Sequence, residues 1–326
     1  MRDTSNASSV SFEPFTLSSA LLARLVESRH YQLTGSIVIF GIRAGKLLEG
    51  NYGQWLTSAK IVENSLDGEH FRCLVGLWNL TTHKIALFPA STIPHQFWQE
   101  KQIDAPEKRI ANFLGTGAYR YIVGAHEPDN RPFEEGAFRL SRLQPVFAWR
   151  FYQQDPQYLL RNGKPTLSVV NDHIHSAQST TKPSGISFSS AGCQVIQGDH
   201  TPPNLPTGYY QIFRILSGQS AMPSPLEVGQ EYRYLLTHVS DLADIAAGDQ
   251  EIYLQQGSTG YLVRLLQEAL MKKHHDLNED FIDKGYFNGY TAMALYEFQQ
   301  REGLIATGIA TYRDLKKLGI ESLIEY

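Results

Sequence analysis

The spacing of apolar residues changes once along this chain, and that change limits the folds open to it. Up to about residue 245 they fall in short β-branched and aromatic runs: Ser36–Phe40, Phe71–Trp78, Ile85–Phe88, Tyr119–Val123 and Val146–Phe151. Gly, Asn, Asp and Pro interrupt these runs, as turns interrupt the strands of a mostly antiparallel sheet. Phe188–Ile196, Tyr209–Leu216 and Tyr232–Thr237 continue the pattern. From Gly257 onward the spacing becomes three and four, with Leu262, Val263, Leu265, Leu266, Ala269 and Leu270 on one helix. Thr291–Gln300 and Thr311–Leu318 predict two more helices, each with a threonine where an N-cap belongs. The expected class is α+β, a mostly antiparallel β body followed by a separate, small three-helix bundle.

The expected boundaries follow from the same change. Residues 1–34 read as a Ser- and Thr-rich tail and a short helix opened by Ser18-Ser19, residues 35–247 as the β body, and residues 250–326 as the bundle. A linker near Ala247-Gly248-Asp249 would let the two parts fold on separate cores. Glu127–Pro132 and the proline-rich Asp199–Gly208 read as long loops of the kind that bind ligands.

Charge excludes some partners. Lys and Arg number 29 against 33 Asp and Glu, a net charge of −4 with no basic run. Nothing in this balance suits a nucleic acid or an anionic membrane. No apolar stretch approaches the length of a membrane span. Of the two cysteines, Cys73 lies in an apolar strand-like run and reads as a small buried residue, while Cys193 follows a pair of histidines.

The helical segment carries a resemblance. Gly257-Ser-Thr-Gly260, Val263-Arg-Leu-Leu266-Gln267, Gly285-Tyr-Phe287-Asn-Gly289-Tyr-Thr291, Phe298-Gln299, Gly303-Leu304 and Thr307-Gly308-Ile-Ala-Thr311 follow in order. This run resembles the three-helix peptidoglycan-binding domain. The resemblance implies a cell-wall partner, with Leu266, Leu270, Leu295, Phe298 and Leu315 as the small core.

A second resemblance rests on Asn171-Asp172-His173-Ile174-His175-Ser176 and on Ser189-Ser190-Ala191-Gly192-Cys193. A histidine followed eighteen positions later by a cysteine in a Ser-x-Gly-Cys turn resembles the active-site signature of L,D-transpeptidases. The resemblance implies Cys193 as nucleophile and His175 as its base. It further implies Ser176, Ser190, Ala191 and Gly192 around the substrate and oxyanion, with His173 orienting. Such a pair needs no cofactor and no metal: an imidazole takes the thiol proton, and backbone amides hold the oxyanion. Two positions depart from the family's pattern. Ala191 stands where a second histidine is usual, and Val195 where an Arg or Asn is usual.

Two rival readings remain at this level. His173 and His175 have the spacing of two metal ligands on one strand face, with His126, Asp172, Asp199 or His200 as a third, which describes a zinc-dependent wall peptidase. The other is a wall-binding protein with a buried, inert cysteine. His274-His275 is expected in a solvated loop of the bundle. The opening Met1-Arg2-Asp3-Thr4-Ser5-Asn6 lacks a secretory pattern. Action at the wall or in the periplasm would then imply either a signal already removed or a route that reads no N-terminal signal, such as a phage lysis system or an injecting secretion machine.

Overall fold

The computed structural model describes residues 13–126, 134–151, 163–179, 187–200, 206–273 and 279–321. The expected loop at Glu127–Pro132, the pair His274-His275 and the first twelve residues lie outside these, as do residues 201–205 of the proline-rich loop.

The chain opens with β1 (Phe15–Ser18) and α1 (Ser19–Ser28), where Ser18 Oγ accepts the Leu21 N–H at 3.3 Å and caps the helix. There follow β2 (Ile37–Arg43), β3 (Gly45–Glu49), β4 (Ser58–Glu63), β5 (Cys73–Asn79), β6 (Lys84–Ser91) and α2 (Gln96–Asp104). Next come β7 (Phe113–Leu114), β8 (Gly117–His126), β9 (Glu134–Leu140), β10 (Val146–Phe151), β11 (Gly163–Ser168), β12 (Ile174–Ser179) and β13 (Gln194–His200). The remaining elements are α3 (Gly208–Leu216), β14 (Glu231–His238), α4 (Val239–Ala246), α5 (Tyr261–Lys273), α6 (Gly289–Arg301) and α7 (Tyr312–Leu318).

Eight strands close into a barrel in the order β12-β13-β6-β5-β2-β14-β8-β9. The sheet is mixed rather than purely antiparallel, because β12 runs parallel to β13 and β14 parallel to β2. Both faces of several strands are covered, which is why they read as unbroken apolar runs rather than as alternation. Ile39, Val75, Leu77, Ala86 and Phe88 join one core. Their neighbours Val38, Phe40, Leu74, Trp78, Ile85 and Leu87 join a second, under α1 and α4.

One expected strand is a helix. Tyr209–Leu216 is rich in aromatic and β-branched residues, yet it forms most of α3. Its apolar residues Tyr209, Ile212, Phe213 and Leu216 fall at helical spacing and pack on the first core. The expected run Phe188–Ile196 is likewise strand only from Gln194 onward.

Helices α5, α6 and α7 form the C-terminal unit, but its core also takes in residues of the body. Leu266, Leu270, Leu295, Phe298 and Leu315 pack in one cluster with Ile93, Phe113, Phe147 and Trp149. Tyr296 of α6 meets the Phe147 and Trp149 rings at 6.0 and 5.7 Å between centroids. A Cβ added to Gly289 would fall 2.6 Å from the Pro145 carbonyl oxygen, so α6 approaches the body backbone closely there. No helix among the described residues is long and apolar enough to cross a membrane.

Candidate functional site

Adjacent strands of the barrel build the site. His126 ends β8 and pairs directly with Glu134, the first residue of β9. Ile174 of β12 pairs with Phe138 of β9, which sets His175 near that hairpin. Strand β12 then runs parallel to β13, with His175 opposite Val195, so Cys193 stands just before β13 at the same end as His175. A ring nitrogen of His126, a ring nitrogen of His175 and Cys193 Sγ lie within 4.8 Å of one another.

His175 is held from behind. Its Nδ1 lies 2.7 Å from the Ser176 carbonyl oxygen, which makes Nδ1 the protonated nitrogen and leaves the Nε2 lone pair free. The Glu134 carboxyl lies 3.7 Å from the same Nδ1, beyond a hydrogen bond, and instead accepts from Ser176. The Ser176 N–H donates to Glu134 Oε1 at 2.9 Å and its hydroxyl to Oε2 at 3.0 Å.

The cysteine turn is braced in the same way. Ser190 Oγ donates to the Cys193 carbonyl at 2.7 Å and accepts the Gly192 N–H at 3.2 Å. Asn112 N–H donates to the Ala191 carbonyl at 2.9 Å, and the Asn112 amide donates to Asp172. A Cβ on Gly192 would meet the Asp172 carboxylate, and it would fall 2.8 Å from Asn112 Nδ2. Glycine is required here because the backbone passes through this polar brace. Ser190 therefore holds the turn, and the Gly192 N–H is spent on Ser190 in this state.

Burial sets the protonation of the site. It pushes the Cys193 thiol far up, and the nearby Asp172 and Glu134 carboxyls push the same way. The Sγ–H donates to the Asn171 carbonyl at 3.1 Å, as a thiol would. Burial also drives His175 and His173 well below the ordinary imidazole value, and His126 to about 4. Glu134 rises to about 8 and Asp172 to about 7, both chiefly through desolvation. The resting site is thus a neutral thiol beside neutral imidazoles, not a thiolate–imidazolium pair.

His173, expected to orient the pair, accepts the Leu140 N–H on Nδ1 at 3.2 Å and meets the His126 ring edge-on at 5.5 Å. Among the described residues, the group of converging metal-type donors comprises His126, His175 and Cys193. His173, Asp172, Asp199 and His200 stand outside it. Cys73 is buried, takes a hydrogen bond from Thr92 Oγ1 at 3.3 Å and forms no disulfide. Val195 is buried in the sheet opposite Ser91. Glu134 and Asn112 are site residues that sequence reasoning missed.

In the C-terminal unit two glutamines act alike. Gln267 Nε2 donates to the Asp283 and Tyr286 carbonyls and to Thr291 Oγ1, each at 3.0 Å, while its Oε1 accepts the Gly285 N–H at 2.9 Å. Gln299 Nε2 donates to the Ile309 carbonyl and to Asp314, and its Oε1 accepts the Thr307 and Gly308 N–H groups. Each glutamine thus satisfies a loop that would otherwise bury bare backbone. Asn288, not Thr291, caps α6, because its Oδ1 accepts the Thr291 N–H at 3.0 Å. Thr311 does open α7, with its N–H donating to Asp314 at 2.7 Å. Gly257, Gly260, Gly303 and Gly308 all have positive φ.

Residues 259–318 match the family model described as a putative peptidoglycan binding domain. That match supports a peptidoglycan-binding domain at the C-terminus, with the cell wall as partner. Neither the curated proteins nor the solved structures contain a significant match to the chain.

Proposed function

We propose that the chain is a cysteine enzyme of peptidoglycan that acts on stem peptides in the manner of an L,D-transpeptidase. One observation carries this reading. A histidine and a cysteine eighteen positions apart meet where β12 runs parallel to β13, with His175 Nδ1 committed to the Ser176 carbonyl and a ring nitrogen within 4.8 Å of Cys193 Sγ. The peptidoglycan-binding domain at residues 259–318 names the polymer on which such a pair would work.

The chemistry follows from the resting protonation. Because thiol and imidazole are both neutral, the Cys193 proton passes to His175 Nε2 as Sγ attacks a stem-peptide carbonyl. The Nδ1–H bond to Ser176 steadies the imidazolium that forms. The carbonyl carbon gains a C–S bond and then loses its C–N bond, and His175 returns the proton to the departing D-amino acid. An amine that attacks the thioester gives cross-linking or exchange, and water gives carboxypeptidase action. The Gly192 N–H serves the oxyanion once it leaves Ser190 Oγ.

The test is mass spectrometry of muropeptides after incubation with the protein and with its C193A and H175A variants. Trimmed, exchanged or cross-linked stems from the parent chain alone support the reading. Full turnover by C193A refutes the cysteine mechanism. A parent chain that binds sacculi but alters no muropeptide points to a wall-binding protein without catalysis.

A further inference from the structure

We infer that His126, His175 and Cys193 form a binding site for one divalent cation of the zinc class, and that its occupation closes the cysteine to substrate. The cation site stands on its own geometry, and the closure rests on Cys193 being the nucleophile proposed above.

Three barrel segments bring two imidazoles and one thiol together, all within 4.8 Å. Around a tetrahedral zinc ion, with metal–nitrogen bonds of about 2.0–2.1 Å and a metal–sulfur bond of about 2.3 Å, such donors stand about 3.3–3.6 Å apart. The cluster therefore needs to contract by little more than an ångström. Two further features point to a ligand. Among the described residues, His126 Nδ1 is buried without a hydrogen-bond partner, a cost that ligation would offset. His175 Nδ1 is anchored on the Ser176 carbonyl, the outer contact that commonly fixes a ligating imidazole and its tautomer.

One movement is required. The His126 and His175 rings stack at 4.3 Å with planes 9° apart, so their in-plane lone pairs do not converge as they stand. His126 is the less buried of the two rings and the one that has to turn. It is only half-buried at the end of β8, whereas His175 is buried on all sides. On binding, an Sγ–metal bond replaces the Sγ–H bond and one proton passes to solvent, with no change of oxidation state. Three protein donors leave the fourth position open, which suits a reversible cation rather than a closed structural centre. His173 takes no part.

The reduced, metal-free full chain, titrated with cobalt(II) as a coloured stand-in for zinc, tests this directly. The expected result is a thiolate-to-cobalt charge-transfer band that saturates at one equivalent and is displaced by zinc. The band should vanish in C193S. In H126A or H126Q affinity should fall about tenfold or more, since outer contacts to ligands alone are worth about 10–100-fold. H173A should keep it. Two His126 variants guard against a folding artefact, and far-UV circular dichroism checks both. A parent chain without the band, or a band unchanged in both His126 variants, overturns the site. Muropeptide turnover is then measured with and without zinc. Turnover lost with zinc and restored by chelator supports the closure, and turnover that persists at saturating zinc overturns it. Cation binding by a chain that turns over no muropeptide upholds the site and sinks the enzyme reading instead.

Discussion

Glu134→Gln is the perturbation that reports most directly on how the site holds its protons. Glu134 is buried beside His175 and accepts both polar groups of Ser176, yet desolvation raises its pKa from 4.5 to about 8. A carboxyl with a raised folded pKa stays neutral in the fold while the unfolded chain ionises. Its neutral form therefore supports the fold fully below about pH 4.5, and that support is lost as pH climbs toward 8. Each unit of difference is worth about 1.4 kcal/mol. Across the two and a half units from 4.5 to 7 the loss is about 3 kcal/mol, and by pH 8 about 4 kcal/mol.

Glutamine copies the neutral acid. Its oxygen accepts the Ser176 N–H, and its amide donates to the Ser176 hydroxyl. Urea denaturation of both chains from pH 5 to 8, read as the difference in unfolding free energy, isolates this group, because Asp172 and the histidines titrate alike in the two. The two chains should be nearly equal at pH 5, and E134Q should be the more stable by about 3 kcal/mol at pH 7. A difference that stays flat would refute the buried neutral acid. A wild-type chain that gains on E134Q as pH rises would mean an ionised Glu134 paired with a protonated His175, and the resting site would be rewritten as an ion pair.

Other consequences follow from the same arrangement. With the thiol held neutral by burial, alkylation of Cys193 should quicken steadily as pH rises from 6 to 9; a plateau below pH 7 would reveal a preformed thiolate. Gly192→Ala drives a methyl group into Asp172 and Asn112, so it should cost about 1–3 kcal/mol by denaturation and abolish muropeptide turnover, whereas a neutral change would deny that the turn is tightly braced. Trp149→Ala, at a buried residue shared by body and helices, should cost about 3–5 kcal/mol and make residues 259–318 more open to protease. A chain cut at Ala247 would bare Phe113, Phe147 and Trp149 and should aggregate or melt early; if instead it stays soluble and melts like the full chain, the shared core contributes little.

What could be read from sequence depended on how local each signal was. The helical run after Gly257 was legible because its spacing, glycines and glutamines repeat within a few turns. The approach of His175 to Cys193 was legible through a pattern spanning eighteen positions, which the parallel pairing of β12 and β13 turns into proximity. Tyr209–Leu216 misled because composition spoke for a strand while spacing spoke for a helix, and packing on the first core followed the spacing. Glu134 and His126 were illegible as a pair for a different reason. They face each other only through the register of β8 and β9, and they reach His175 only because the barrel closes β9 on β12. Closure is a property of the whole sheet, so no window of sequence carries it. The residues it brings together are those that hold the imidazole and offer the extra donor, and they are where the site's protonation and the proposed affinity for a cation are decided.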